Sequence, residues 1–217
     1  MKKVKVLLFL TLLITFQILI TTPVYANSKN ITLDSISQKY NLKDVDTTNL
    51  PEGIKPIEFK SYQELAAFLE KVKRQNDIEE EKVKKLIADR KIKNLLVGSS
   101  LTQAIDTNLA SNNIGSQTKL VSSSGTFSYY MSVSYYYSYN YTFNKNVFTG
   151  CRSIYTFISG FSPFVDYQQY DSWYSILDSG RTLACTAKGI TSYYIFIEGV
   201  LKVYQYDKTL YGEFYNP

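Results

Sequence analysis

Hydrophobic and polar residues alternate along the chain from residue 127 to residue 143. The odd positions carry only Phe, Tyr, Met and Val, whereas the even positions carry Ser, Asn and Thr, with tyrosines at Tyr130 and Tyr136. A period of two predicts a β-strand with one buried face and one solvent-exposed face. Because this run of seventeen residues exceeds the usual strand length, we expect a bend, a bulge or a change of sheet within it.

Further runs of β-branched and aromatic residues follow toward the C-terminus. We expect a hairpin turn at Asp207-Lys208, and a bulge at Gly199, which stands alone within an apolar run. Five or more strands joined by short turns predict an antiparallel β-sandwich of immunoglobulin-like size over residues 119–217, with an open barrel as the alternative. The remaining strands are predicted at residues 154–159, 182–187, 192–198, 200–206 and 209–215.

The N-terminal half of the chain has a different pattern, in which apolar residues recur every three or four positions. The capping box Ser61-Tyr62-Gln63-Glu64 predicts the start of a helix. Gln75-Asn76 predicts a break, so we expect a helical hairpin or a kinked helix, preceded by a short helix at residues 34–40. The predicted fold class is therefore α+β, with a charged helical region at residues 27–97 and a linker rich in Ser, Thr, Asn and Gly at residues 98–118.

The first 26 residues have the features of a cleavable signal peptide. Lys2, Lys3 and Lys5 precede an apolar stretch at residues 6–20, and Val24 and Ala26 form a small-residue cleavage site. We expect cleavage after Ala26, which makes the protein secreted and extracellular and limits its membrane contact to the uncleaved precursor. The alternative is an uncleaved N-terminal anchor, since the apolar stretch is only slightly shorter than a membrane span.

Charge and histidine content exclude several classes of function. Removal of the three signal-peptide lysines lowers the net charge from +5 to +2, so we expect no nucleic-acid partner. The chain has no histidine, which excludes Ser-His and Cys-His nucleophiles and histidine metal ligands. We therefore expect a non-enzyme without a cofactor or a metal. The alternative is a glycosidase that uses two carboxylates, drawn from Asp166, Asp171, Asp178, Glu198, Asp207 and Glu213.

The two cysteines, Cys151 and Cys185, both lie in the predicted β domain. An exported protein folds in an oxidising compartment, where paired cysteines usually form disulfides. We therefore expect a Cys151–Cys185 disulfide that stabilises the domain.

Aromatic residues mark two candidate binding surfaces. The C-terminal residues 121–217 hold 17 of the 20 tyrosines, most of them at positions expected to pack in a core. Tyr130 and Tyr136 instead fall among serines on the predicted solvent face. The second surface is an apparent loop that interleaves aromatic residues with Asp166, Asp171 and Asp178, which offer a weak alternative as calcium ligands. Its aromatic residues are Tyr167, Tyr170, Trp173 and Tyr174.

These features together favour a secreted, non-catalytic binding module of a Gram-positive-type bacterium. Exposed tyrosine and tryptophan suit contact with a cell-wall glycan or a surface protein. The alternative is a membrane-active toxin or a bacteriocin-like protein, because a membrane-inserting hairpin needs the same alternation as residues 122–142.

Overall fold

In the computed structural model, the described part of the chain comprises residues 31–46, 48, 50–97 and 113–217. The predicted signal peptide and residues 98–112 of the predicted linker lie outside these residues. The described residues form two α-helices and a larger number of β-strands, nearly all paired antiparallel. The expectation of an α+β protein with N-terminal helices and a C-terminal antiparallel β region is confirmed.

The first helix, α1, runs from Leu33 to Tyr40, as the sequence predicts. Ile36 and Tyr40 are its buried residues, and their spacing of four places them on one face. The ring of Tyr40 packs edge-on against Tyr204, with the ring centroids 6.3 Å apart. This contact joins the N-terminal helix to the C-terminal strands.

The second helix, α2, runs without a break from Tyr62 to Val97. The Ser61 hydroxyl accepts a hydrogen bond from the Glu64 amide at 3.2 Å, which confirms one half of the capping box. The predicted break at Gln75-Asn76 is wrong. Neither residue removes a backbone donor as proline does, and the cost of asparagine in a helix is only about 0.7 kcal/mol, so flanking helix formers extend through it.

Eight strands follow the chain order. They are β1 (Lys43–Asp44), β2 (Ile57–Glu58), β3 (Asn113–Ser123), β4 (Phe127–Asn140), β5 (Lys145–Gly160), β6 (Val165–Leu177), β7 (Thr182–Ile197) and β8 (Val200–Tyr215).

The strands form two sheets. In the larger sheet, β8 pairs with one edge of β7, and the short β1 pairs with β8. The strands β6 and β2 pair with separate segments of β7, at Thr182–Tyr193 and Ile195–Phe196, and so share its other edge. The pairing of β2 is parallel and the others are antiparallel. The smaller sheet has the order β3-β4-β5, with the long alternating segment as its central strand.

The strands β7 and β8 are longer than the sequence predicts. The four predicted strands between residues 182 and 215 merge into two, joined by a tight turn at Glu198 and Gly199. Both turn residues have positive φ values, 50° and 81°, as a two-residue β-hairpin requires. The expected bulge at Gly199 and the expected turn at Asp207-Lys208 are therefore wrong, since Asp207 and Lys208 pair with Ile190 and Gly189 inside the sheet.

Two segments expected to be irregular are also strands. Residues 113–118 of the predicted linker begin β3, where they pair with β4 from Tyr137 to Ser132. The aromatic segment expected to be a loop forms β6, which pairs with β7 from Val165 onward. A register shift at Tyr170 interrupts this pairing.

The two sheets and both helices share one core. Tyr129, Met131 and Val133 on β4 are buried against Leu183 and Leu210 of the larger sheet. Leu65 and Leu69 of α2 join the same cluster, and residues Leu33–Pro217 form one compact unit. Two sheets of mainly antiparallel strands around one core agree with the sandwich expectation in its coarse form.

Candidate functional site

The alternation in β4 separates a core face from an outward face. Its odd residues from Phe127 to Tyr135 are buried, whereas Tyr130, Ser132 and Ser134 are partly exposed. Cross-strand pairing carries this division to both neighbours, because Tyr130 pairs with Leu120 on β3 and Phe157 on β5. One face of the three-stranded sheet is therefore directed away from the core.

Three aromatic rings are stacked in a row on this outward face. The centroids of Tyr130 and Phe157 are 5.7 Å apart with an interplanar angle of 16°. Phe157 stands in the same relation to Tyr155, at 5.7 Å and 20°. Tyr155 is 62% exposed and Leu120, at the other end of the row, is 48% exposed. We call Leu120, Tyr130, Tyr155 and Phe157 the ring face.

Hydroxyl groups surround the ring face. Some of them bond to each other, as Thr118 does to Ser132 at 3.0 Å. The flanking residues that pair across the three strands at these positions are uncharged, so they offer hydrogen bonds and apolar contact to a ligand. The flanking residues on the three strands are Ser116, Thr118, Ser128, Ser132, Ser134, Ser153 and Ser159.

The structure brings only two of the six predicted surface residues to this sheet. Tyr130 belongs to the ring face. Tyr136 lies on the same strand six residues further along, where it pairs with Ile114 on one side and Gly150 on the other. Ile114 is exposed, so this end of the sheet is also apolar.

The other four predicted surface residues lie on β6 in the larger sheet. Tyr167 is directed inward, packs edge-on against Tyr129 at 5.4 Å and shares a hydrogen bond of 2.9 Å with Thr156. Burial raises the pKa of Tyr167, and its partly buried ring packs against the core instead of joining the exposed aromatic residues of β6. Tyr170, Trp173 and Tyr174 are exposed, but they belong to a different sheet from the ring face.

Tyr155 and Phe157 are the site residues that sequence reasoning missed. Their strand was expected at residues 154–159, and its alternation of Ile154, Thr156 and Ile158 with Tyr155 and Phe157 was the available signal. Both sets are bulky, so the sequence does not show which faces solvent. The pairing with β4 decides this, because Phe157 lies opposite Tyr130.

A second concave site lies beside the ring face. A cleft of about 430 Å³ opens between α2 and the strands β3 and β8. Its residues are Leu86, Asp89, Arg90, Lys119, Leu120, Val121, Tyr211, Gly212, Glu213 and Tyr215.

The wall of the cleft is organised by the Glu213 carboxylate. It accepts hydrogen bonds from the Arg90 Nε atom at 2.5 Å and the Tyr211 hydroxyl at 2.6 Å, and from a second Arg90 nitrogen and the Tyr215 hydroxyl. Burial raises the pKa of Glu213, but these donors outweigh it and lower the pKa to about 2. The Lys119 ammonium donates to the Glu213 carbonyl at 3.3 Å and lies over the Tyr215 ring at 6.0 Å.

A buried polar group also joins α2 to the sheets. Lys208 on β8 is 3% exposed, forms an ion pair with Glu79 of α2, and lies over the Tyr129 ring at 5.2 Å. The Ser122 hydroxyl on β3 donates to the same carboxylate at 2.7 Å. Because the lysine is enclosed and paired, its role is to dock the helix.

No known protein family, curated protein or solved structure matches this chain.

The expected disulfide is absent, because Cys151 and Cys185 are both free thiols. They lie on β5 and β7 in different sheets, and the Cys151 thiol donates to the Ser134 and Ser153 carbonyls at 3.5 Å. The neighbouring Cys151 thiol, together with burial, raises the pKa of Cys185, whereas the Cys185 thiol lowers the pKa of Cys151. The thiols therefore interact without a covalent bond.

The carboxylates considered for glycoside hydrolysis are mostly engaged in local contacts. Glu198 accepts from the Tyr62 hydroxyl, Asp207 from the Tyr170 hydroxyl at 3.1 Å, and Asp178 from Thr182 at 2.7 Å. In the described part of the chain, no three His, Cys, Asp or Glu residues cluster as metal ligands. Within the same residues, no helix has the length and apolar character needed to cross a membrane.

Proposed function

We propose that this chain is a secreted, non-catalytic carbohydrate-binding protein whose β-sandwich of immunoglobulin-like size holds a neutral glycan on its ring face. The observation that carries this proposal is the row of three near-parallel rings at Tyr130, Phe157 and Tyr155. Such rings offer large, rigid contact area at low entropic cost. The C–H groups of a sugar ring pack against exposed aromatic surface, and Tyr155, at one end of the stack, is 62% exposed.

The surroundings of the rings favour a glycan over other partners. Sugars present both hydrogen-bond donors and acceptors, and the serine and threonine hydroxyls around the ring face offer both as well. The absence of charge from these flanking positions disfavours nucleic acids and strongly anionic polymers, which need Lys and Arg on the contact face. A neutral, polyhydroxylated chain fits both the rings and their surroundings.

The ring face is also held in a fixed arrangement. Tyr130 and Phe157 are directly paired across two strands, and the opposite face of β4 is anchored in the core by Tyr129 and Met131. A preformed surface loses little conformational entropy on binding. The signal-peptide features of the first 26 residues support a location where polysaccharides are accessible, and the absence of histidine supports the non-catalytic part of the proposal.

Binding to insoluble polysaccharides tests this function. The chain from Asn27 onward is mixed with cellulose, chitin or peptidoglycan, and the protein that remains in solution is measured over a range of polysaccharide concentration. We expect retention on at least one of these polymers. Replacement of Tyr155 by alanine should weaken it at least tenfold, because Tyr155 is the most exposed aromatic residue of the ring face and aromatic hot-spot residues carry most of the binding energy.

Two alanine variants serve as controls for this experiment. Tyr141→Ala removes a ring that is 89% exposed but lies in the turn after β4, and Trp173→Ala removes a ring on the other sheet. Both should bind as the unmodified protein does. Absence of retention on all three polymers, or equal retention of Tyr155→Ala and the controls, would contradict the proposal.

A further inference from the structure

The cleft described above lies at the end of the ring face. Leu120 belongs to both, because it lines the cleft and pairs directly with Tyr130. Phe157, Tyr130 and Leu120 therefore form a row across β5, β4 and β3 that ends at the cleft. A polymer that crosses the strands along this row reaches the cleft at its end.

The size of the cleft suits a short ligand. Its volume of about 430 Å³ lies in the range of roughly 300–1,000 Å³ that is usual for small-molecule sites. Gly212 forms part of its lining, and the ideal Cβ position at this glycine lies 3.0 Å from Val121. A side chain at residue 212 would therefore crowd this wall of the cleft.

The chemistry of the lining suits a sugar. Lys119 offers N–H donors, Asp89 offers carboxylate acceptors, and Tyr215 offers a half-exposed ring. A sugar hydroxyl donates and accepts, so adjacent hydroxyls are matched by one donor group and one acceptor group. The Tyr211 and Tyr215 hydroxyls are fixed by Glu213, which holds both rings in place before a ligand arrives.

We infer that this cleft binds the terminal sugars of a glycan chain whose following residues lie on the ring face, so that the protein recognises chain ends. This inference rests on the proposed function for the ring face. It adds that Lys119 and Asp89 determine the affinity for short chains, because short chains have many ends per unit mass. The same two residues should have little effect on the binding of long polymers, which have few ends.

Calorimetric titration with cellotetraose and chitotetraose tests the inference. The variants are Lys119→Met and Asp89→Asn, which keep the side-chain size but remove the charge. Both residues are exposed, so these substitutions leave the core unchanged. We expect each variant to bind the recognised tetrasaccharide at least fivefold more weakly, while retention on the insoluble polymer changes by less than twofold. Lys71→Met, on the exposed surface of α2, is the matched control and should leave both unchanged.

The outcomes separate the inference from the function on which it rests. If Tyr155→Ala loses polymer retention but Lys119→Met and Asp89→Asn bind tetrasaccharides normally, the cleft inference is wrong and the ring face stands. If the cleft variants weaken polymer retention as strongly as tetrasaccharide binding, recognition of chain ends is also wrong. If no polymer is retained but a tetrasaccharide binds and depends on Lys119, the proposed function fails, and the cleft alone is the sugar site.

Discussion

The side chain of Gln169 pairs with the backbone of Thr156 in the way that a neighbouring strand would. Its Oε1 atom accepts hydrogen bonds from the Thr156 amide at 2.7 Å and the Thr156 hydroxyl at 2.6 Å, and its Nε2 atom donates to the Ile154 carbonyl at 3.0 Å. One glutamine on β6 thus supplies hydrogen-bond partners to the backbone N–H and C=O groups at the edge of β5, where the two sheets approach each other.

Replacement of Gln169 by leucine should lower the free energy of unfolding by about 2–4 kcal/mol, because a buried backbone donor and acceptor lose their partners. Chemical denaturation followed by tyrosine and tryptophan fluorescence measures this loss. Gln168→Leu changes the exposed neighbour, which donates to the Asp166 carboxylate at 3.1 Å on the surface, and should stay within about 0.5 kcal/mol. Equal stability of the two variants would show that the hydrogen bonds of Gln169 to the edge of β5 do not stabilise the fold.

The sequence predicts β4 well from Phe127 to Tyr135, where the odd residues are buried and the even ones are partly exposed. It fails beyond that point, because Tyr139 is 45% exposed and the predicted alternation runs on into the exposed turn after Asn140. It fails at β6, where Trp173, Tyr174 and Ile176 are all exposed and no period of two exists to detect. It fails within β7 and β8 because Gly189, Asp207 and Lys208 resemble turn residues. Their role depends on partners far along the chain, which local sequence does not contain.

The candidate site is less predictable than the fold for a related reason. Tyr130 could be placed on the solvent face from its own strand, but the ring face requires the register between β4 and β5. That register includes two shifts, between Ser134 and Tyr135 and between Tyr136 and Tyr137. The cleft requires the docking of α2, which depends on a buried lysine that has no sequence signature.

The buried ion pair between Lys208 and Glu79 provides a second test. Glu79→Leu leaves an enclosed ammonium without its carboxylate and should destabilise the protein by about 3 kcal/mol. The double variant Glu79→Leu with Lys208→Met replaces both charges by apolar groups and should recover most of that loss. Thermal and chemical unfolding measure both changes.

The exposed pair of Lys84 and Glu80, 3.3 Å apart, is the control for this test. Lys84→Met should change stability by less than about 0.5 kcal/mol. Failure of the double variant to recover stability would mean that Lys208 contributes mainly through its contact with the Tyr129 ring.

Close contacts between tyrosine rings and glycines give a third prediction. A Cβ atom at Gly189 would lie 2.5 Å from the Tyr167 ring, which crosses the glycine at this point. Gly189→Ala should therefore cost about 1–3 kcal/mol through overpacking. At Gly150 the nearest ring atom, on Tyr136, is 3.4 Å from the Cβ position, so Gly150→Ala should be much milder. The reverse order of the two losses would contradict the ring placement.

The pKa of Glu213 determines a fourth prediction, on stability in acid. Its ordinary value of 4.5 is lowered to about 2 in the folded protein. A lowered pKa means that the carboxylate stabilises the fold fully above about pH 4.5 and loses this effect as the pH falls toward 2. With allowance for solvent screening, the effect is about 2 kcal/mol.

Unfolding free energies measured from pH 6 to pH 2 test this dependence. The difference between the unmodified protein and Glu213→Gln should be constant above about pH 4.5 and shrink below it. Arg90→Gln should reduce the same pH-dependent difference, since Arg90 supplies two of the hydrogen bonds. A difference that does not vary with pH would mean that Glu213 keeps its ordinary pKa.

The docking of α2 on the last strand has a consequence for the order of folding. Glu79 and Lys208 are 129 positions apart in the chain, and Tyr62 and Glu198 are 136 apart. Contacts between such distant residues slow folding, because a long loop must close before they form. The ion pairs of α2 with Lys208 and Glu213 cannot form until β8 has been synthesised. A chain truncated before β8 would therefore leave Glu79 and Arg90 without their partners.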